Sequence, residues 1–292
     1  VPESTRGPQT VTDPAFGWQS ASLDVPAYLK RIGYSGALAP TLETLRALHR
    51  AHAATIPFEN LDILLGAGIE LDLEHLQDKL VRRGRGGYCY EQNLLFAAVL
   101  EHAGFRVCGL AARVRMGSDA LRPTSHALLD VGVDGASWIA DVGFGGEGLL
   151  EPIRLSPGTE ARQGGWAYRL DEPGRDGTWV LRSRHPDDWF DMYSFTREPH
   201  YSVDYEVTNH YTATHPRSPF VRRMVVQRTG PDVRRTLVGL ELTTTRPGAE
   251  PTRRELAPEE VPDTLSESFG LELDASQRRE LVRIAAQAAS EA

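Results

Sequence analysis

The chain has 292 residues, 40% hydrophobic and 25% charged, with a formal charge of −8, the composition of a water-soluble globular protein with room for one large domain or two to three small ones. No apolar run approaches a membrane span, no basic-then-apolar leader opens the chain, and the acidic balance argues against nucleic acid as a partner. Two cysteines, Cys89 and Cys108, are too few for a disulfide framework and point to a reducing, cytoplasmic setting.

Residues 1–23 are polar and read as an arm ahead of the fold. Asp24 caps a short helix through Tyr28 and Ile32. Thr41 caps a longer one carrying Leu42, Leu45, Leu48 and His52 on one face, which must stop before Pro57. Ile56 to Leu61 is an extended turn, and Asp72 caps a third helix through Leu73, Leu76 and Leu80. Arg82 to Asn93 then runs from arginines and glycines into a helical pattern of Leu94, Leu95, Ala98 and Val99 that Gly104 stops. Residues 24–104 therefore read as a helical bundle.

The pattern changes after Gly104. Phe105–Met116 reads as a strand, Ser125–Val133 as a second, Asp134-Gly135 as a tight hairpin turn, and Ser137–Phe144 as a third strand. Asp176-Gly177 marks another hairpin, between Trp166–Leu170 and Trp179–Arg182. Residues 105–200 read as a small barrel or strongly curved sheet. Residues 201–292 mix strands (Val221–Gln227, Thr236–Leu242) with helices near Val261–Phe269 and Ser276–Ala289, with Thr243–Arg254 as a polar loop. The fold class is α+β in three parts: helical bundle, β-barrel and α/β lid.

The stretch that carries chemistry is Arg85 to Asn93. Its glycines bend the backbone and put Cys89 at the first turn of a helix, where unpaired N–H groups and the helix dipole favour a thiolate over a thiol. A thiolate attacks carbonyl carbon. Among nine histidines, His126 stands out because it lies on a strand whose hairpin partner carries Asp141. If Asp134-Gly135 is a two-residue turn, Val133 pairs with Ala136, His126 falls opposite Gly143, and Leu128 falls opposite Asp141. Side chains alternate across a strand, so His126 and Asp141 share a face as diagonal neighbours roughly 7–8 Å apart at the backbone. Gly143 opposite His126 is expected to leave open space, and Gly86 and Gly87 to let the helix start press against the strand of His126. A Cys-His-Asp set of this kind serves nucleophilic catalysis. The same spacing also fits a structural His–Asp pair and a small buried cysteine.

These residues form a family signature. The chain resembles the arylamine N-acetyltransferases of bacterial type in Arg85-Gly86-Gly87-Tyr88-Cys89-Tyr90-Glu91-Gln92-Asn93, in Ser125-His126-Ala127-Leu128-Leu129 and in Asp141-Val142-Gly143-Phe144-Gly145. It does so again in Ile56-Pro57-Phe58-Glu59-Asn60, Thr214-His215-Pro216-Arg217-Ser218-Pro219-Phe220 and Leu265-Ser266-Glu267-Ser268-Phe269-Gly270. The resemblance runs from about residue 24 to 280. It implies a cysteine-protease-like core where the first two parts meet, with Cys89 as nucleophile, His126 as base and Asp141 as its orienting group. It implies ping-pong transfer of acetyl from acetyl-CoA to an arylamine, arylhydrazine or N-hydroxyarylamine, with the coenzyme as a substrate and no resident cofactor.

Phe58, Tyr90, Phe144 and Phe220 match positions lining that family's acceptor pocket, although buried aromatics also serve as plain core. Gly143, Gly145 and Gly146 are expected near the coenzyme's pyrophosphate, offering backbone N–H groups, or else as a plain turn. Thr214 and His215 are expected either to face the coenzyme or to cap a loop. Arg85 and Glu91 are expected to pair and hold the turn. No histidine or cysteine cluster has metal-ligand spacing. Two rivals share the triad: amide synthases of the same superfamily, which close macrolactams from carrier-bound acyl chains, and cysteine hydrolases. An inert-cysteine binding protein is the third. Oligomeric state and preferred amine are not encoded legibly.

Overall fold

The computed structural model describes residues 17–291. The expected polar arm falls outside the described residues up to position 16. Residues 17–23 instead pack against the helix that begins at Cys89: Trp18 N–H donates to Glu101, and Ser20–Ser22 form a 3₁₀ turn.

The first helices start where their caps stand. α1 (Val25–Ile32) and α2 (Leu42–Thr55) have the side chains of Asp24 and Thr41 accepting from Ala27 and Thr44 N–H. The expected extended turn is a two-residue strand, β1 (Phe58–Glu59), followed by one helical turn, α3 (Leu61–Leu64). α4 (Leu73–Gln77) is capped by Asp72 and continues as a π-helical turn over Asp78–Arg82. α5 (Cys89–His102) is buried from Cys89 through Leu100 on every side, as expected of a central helix without a polar face.

β2 (Arg106–Val114), β3 (Thr124–Val133) and β4 (Ala136–Ala140) follow. Asp134 and Gly135 both have positive φ, 49° and 74°, and Val133 pairs with Ala136, so the connection is the two-residue turn that suits strand twist. β4 stops at Ala140, four residues short of the expected Phe144. β5 (Ile153–Arg154), β6 (Thr159–Gln163), β7 (Trp166–Leu170), β8 (Trp179–Arg184) and β9 (Trp189–Phe195) complete an eight-stranded antiparallel sheet in the order β5-β4-β3-β2-β9-β8-β7-β6. Its edge strands β5 and β6 touch, so the sheet is nearly closed into a barrel. Along β3 the alternation divides two cores: Ala127, Leu129 and Val131 face the helices, while Leu128 faces the barrel interior with Leu110, Ile139 and Leu181.

The last third contains a helix absent from the sequence expectation, α6 (Ser202–Thr214), then α7 (Pro219–Arg222). β10 (Val225–Thr229), β11 (Arg234–Val238), β12 (Glu241–Thr245) and β13 (Thr252–Glu255) form a second sheet, so the expected Thr243–Arg254 loop is largely a hairpin. β1 from the first third completes this sheet, with Phe58 opposite Gln227 and Glu59 opposite Val226. α8 (Val261–Phe269), stopped by Gly270 in the left-handed conformation, and α9 (Ala275–Glu291) cover one face. Among the described residues, no helix is long and apolar enough to cross a membrane.

Candidate active site

The geometry begins with the turn before α5. Gly86 lies against Pro57: a Cβ there would sit 2.2 Å from the Pro57 carbonyl oxygen. Gly87 makes a parallel bridge to Phe58. These glycines therefore admit β1 and the Glu91 side chain; they do not bring the helix against β3, as the sequence suggested. The close approach to the barrel comes from Gly143, whose added Cβ would lie 2.8 Å from Cys89 Cα. The space expected beside that glycine is filled by the backbone of Cys89.

Cys89 is the first residue of α5 and is 4% exposed. Its Sγ lies 3.8 Å from the Ser125 carbonyl oxygen, beside the ring of His126. His126 Nε2 is 2.7 Å from Asp141 Oδ2, which leaves Nδ1 for the sulfur. Strand pairing ends at Leu129 and Ala140, so Asp141 is the first residue beyond the ladder. There the backbone is free to turn, and the carboxylate meets a ring that diagonal strand neighbours alone would hold farther away.

Asp141 is buried and saturated with donors. Oδ1 accepts from Asn93 Nδ2 at 3.1 Å and from Gly143 N–H at 3.1 Å. Its own N–H donates to His49 Nε2 at 3.1 Å. Asn93 also donates to the Ala127 carbonyl and accepts from Val142 N–H, which ties α5, β3 and the loop after β4 together. Burial would raise the Asp141 carboxyl, but His126 and these donors hold it below the usual range. Burial likewise pulls His126 down, and the facing Asp141 carboxylate outweighs it, pushing the imidazole up to about 10 with help from Cys89. At neutral pH His126 is a cation clamped between a carboxylate and a sulfur.

His126 is also walled by aromatic rings. Phe144 stands edge-on at 5.1 Å between centroids, Tyr193 tilts against it at 5.1 Å, and the two touch each other. Phe58 and Phe220 pack on one another at 5.7 Å. Phe58 and Phe144 line a recess together with Asp141, Gly145, Gln227 and Arg228. Tyr90 is placed elsewhere: it is 1% exposed and packs between Tyr88 and Tyr205, in the seam of α5 and α6.

The expected coenzyme contacts fare unevenly. Gly143 N–H is spent on Asp141 and Gly146 N–H on Gln227 Oε1 at 2.9 Å, so these two amides have protein acceptors in place of a phosphate. Thr214 Oγ1 donates to the His210 carbonyl at the end of α6. His215 stacks on Tyr211 and accepts from Arg217 N–H. Both do the work of a helix terminus. The expected Arg85–Glu91 pair does not form. Arg85 is 1% exposed and pairs with Glu59 at 2.7 Å and Asp62 at 2.9 Å. Glu91 pairs with Lys79 at 2.7 Å.

Against known proteins, a family model described as N-acetyltransferase matches residues 41–278. The chain belongs to the arylamine N-acetyltransferase family. An arylamine N-acetyltransferase of Mycolicibacterium smegmatis is 42% identical over 258 residues, covering 86% of this chain and 93% of that protein. The crystal structure of the Nocardia farcinica arylamine N-acetyltransferase superposes with a TM-score of 0.89 at 47% identity, covering 93% of this chain and 97% of that one. The Mycobacterium marinum enzyme in complex with CoA superposes at 0.84 with 39% identity, over 90% of this chain and 98% of its own.

Within the family's architecture, the residues that sequence reasoning missed are His49, Tyr193 and Gln227. None carries a local signal, because each meets the site from an element distant in sequence. Asn93 carries such a signal: its position one helical turn after Cys89 puts the two on the same face of α5.

Proposed function

We propose that the protein transfers the acetyl group of acetyl-CoA to an arylamine, arylhydrazine or N-hydroxyarylamine in two half-reactions through a Cys89 thioester. The observation that supports this reading is the 2.7 Å bond between His126 and the buried Asp141 carboxylate, beside the Cys89 sulfur at the start of the buried helix.

In the first half-reaction the Cys89 proton rests on His126, and the resulting thiolate attacks the thioester carbonyl carbon. The bond from that carbon to the coenzyme's sulfur breaks, and the departing thiolate takes the proton of the His126 imidazolium. In the second, the amine attacks the acetyl carbon on Cys89, the C–S bond breaks, and neutral His126 accepts the amine proton. The imidazolium beside the sulfur is thereby regenerated. The N–H groups of Cys89 and Tyr90, in the first turn of α5 and so without intrahelical acceptors, serve as oxyanion donors. Phe144, edge-on to His126, with Phe58 and Phe220 behind it, forms an apolar wall suited to a flat uncharged ring.

Mass spectrometry of the protein with acetyl-CoA alone tests this. One acetyl group is expected on Cys89, lost on adding an arylamine with stoichiometric formation of the N-acetyl product. No acetylation of Cys89, or loss of the acetyl group that ignores the amine, would remove the reading.

A further inference from the structure

Behind the turn that precedes Cys89 lies a closed set of ionisable side chains that the acetyl-transfer steps do not use. Glu59, Asp62, Lys79, Arg85 and Glu91 are all buried. Only Lys30 and Lys79 are lysines among the 32 Lys and Arg residues of the chain, and Lys79 is 5% exposed. It projects from the π-helical turn after α4, its Nζ 2.7 Å from Glu91 Oε1 and 3.1 Å from Asp62 Oδ2. Its compact ammonium, with three donors, bridges the two carboxylates.

Glu91 divides its two oxygens. Oε1 takes Lys79, while Oε2 accepts the backbone N–H of Tyr88 at 2.9 Å. Tyr88 is the cap residue immediately before α5, and its carbonyl accepts from Gln92 N–H. The connection therefore runs from α3 through Asp62, Lys79 and Glu91 to the backbone immediately before the nucleophile. Arg85 is committed to Glu59 and Asp62, so Lys79 is the cation in contact with Glu91. With Lys79 lost, Glu91 faces Glu59 and Asp62 without a cation in contact, and leaves the Tyr88 amide or takes up a proton.

We propose that Lys79 is a positioning residue for acetyl transfer: by bridging Asp62 and Glu91 it fixes the backbone of the first turn of α5, and with it the Cys89 and Tyr90 N–H groups that face the acyl oxygen. A well-packed apolar cluster would stabilise this turn at least as well as five buried ionisable groups. The ionic arrangement supplies direction, since one glutamate oxygen is held at one amide. This inference rests on the thioester reading above.

The test is single-turnover acetylation of Cys89 by acetyl-CoA, quenched and read by mass spectrometry, in proteins shown to be folded by near-UV circular dichroism. Lys79→Met is expected to slow acetylation at saturating acetyl-CoA by about 10²-fold, the scale of a small misplacement of reacting groups, with the half-saturating concentration unchanged. Lys79→Met/Glu91→Gln is expected to recover most of the rate, because the amide oxygen at position 91 still accepts the Tyr88 N–H and leaves no unpaired charge. Lys79→Met/Glu91→Leu, equally neutral but without that acceptor, stays slow, and this pair decides the matter even if Lys79→Met alone does not fold. A folded Lys79→Met that acetylates at the wild-type rate, or equal rates in the two double variants, overturns the proposal. Absence of any thioester in the wild type overturns the function reading instead.

Discussion

His126 Nε2 and Asp141 Oδ2 are 2.7 Å apart, although Asp141 lies just past the last paired residue of its strand. The carboxylate both aims the ring and charges it. Asp141→Asn retains a group of the same shape and removes the charge. It is expected to lower acetyl transfer by up to about 10⁴-fold, the loss seen when a triad's aspartate becomes asparagine, while the fold persists. Steady-state rates alongside a histidine NMR titration check this; a His126 that still titrates near 10 in the variant would refute the electrostatic argument.

The raised His126 makes stability depend on alkaline pH. Its folded value of about 10 exceeds the unfolded value of about 6.5. Its contribution is therefore complete below the unfolded value and is lost as pH climbs through the folded one. Between neutral pH and 10 the wild type should lose melting temperature that Asp141→Asn does not, as thermal scans across that window will record.

On the acid side the sign reverses. Burial lowers His49 to about 4, and burial with the neighbouring His49 lowers His52 to about 3. The unfolded chain binds these protons first, so stability falls as pH drops from about 6.5 towards those values. His52→Gln should flatten the acid limb of a plot of urea midpoint against pH. An unchanged limb would assign acid sensitivity elsewhere.

Gly143 is a contact glycine. An added Cβ meets Cys89 Cα at 2.8 Å and the Cys89 carbonyl oxygen at 2.9 Å. Gly143→Ala is expected to separate Cys89 from His126 and reduce the acetylation rate by about 10²-fold in a folded protein. Iodoacetamide labelling of Cys89, slowed to a similar degree, would place the defect at the nucleophile.

Arg85 pairs with two buried carboxylates; its removal strands Glu59 and leaves Asp62 with Lys79 alone. Arg85→Met should cost about 3–5 kcal/mol, the range for breaking a buried ion pair, read from the urea midpoint. A loss within the range of surface substitutions would show that the cluster relaxes around the missing cation.

Much of this site could be read from local signals. A two-residue turn at Asp134-Gly135 fixes strand parity, and parity alone puts His126 and Asp141 on one face. Caps at Asp24, Thr41 and Asp72 announce helices because a side-chain oxygen beside unpaired N–H groups is a local event. The partners of Arg85 were illegible for the opposite reason: Glu59 and Asp62 are local to each other but far from position 85, and Glu91 was an equally reasonable counter-ion. Gly146 looked like a phosphate amide because nothing near it in sequence announces that Gln227 takes its N–H. α6 escaped notice because its polar residues, Asn209 and Thr212 among them, are buried against α5, which erases the amphipathic stripe.

β1 carries a consequence for the order in which the molecule matures. Phe58 pairs with Gln227 across more than half the chain, and the same short strand is bridged to Gly87 beside the nucleophile. The turn that presents Cys89 is thus sealed by a segment synthesised late. On a ribosome the first helices and the barrel emerge before residue 225, so Phe58 and Glu59 lack their strand partner until the second sheet forms. Such long-range pairing is slow to form, so in nascent chains arrested before residue 225 the strand beside the Cys89 turn stays unpaired on that side.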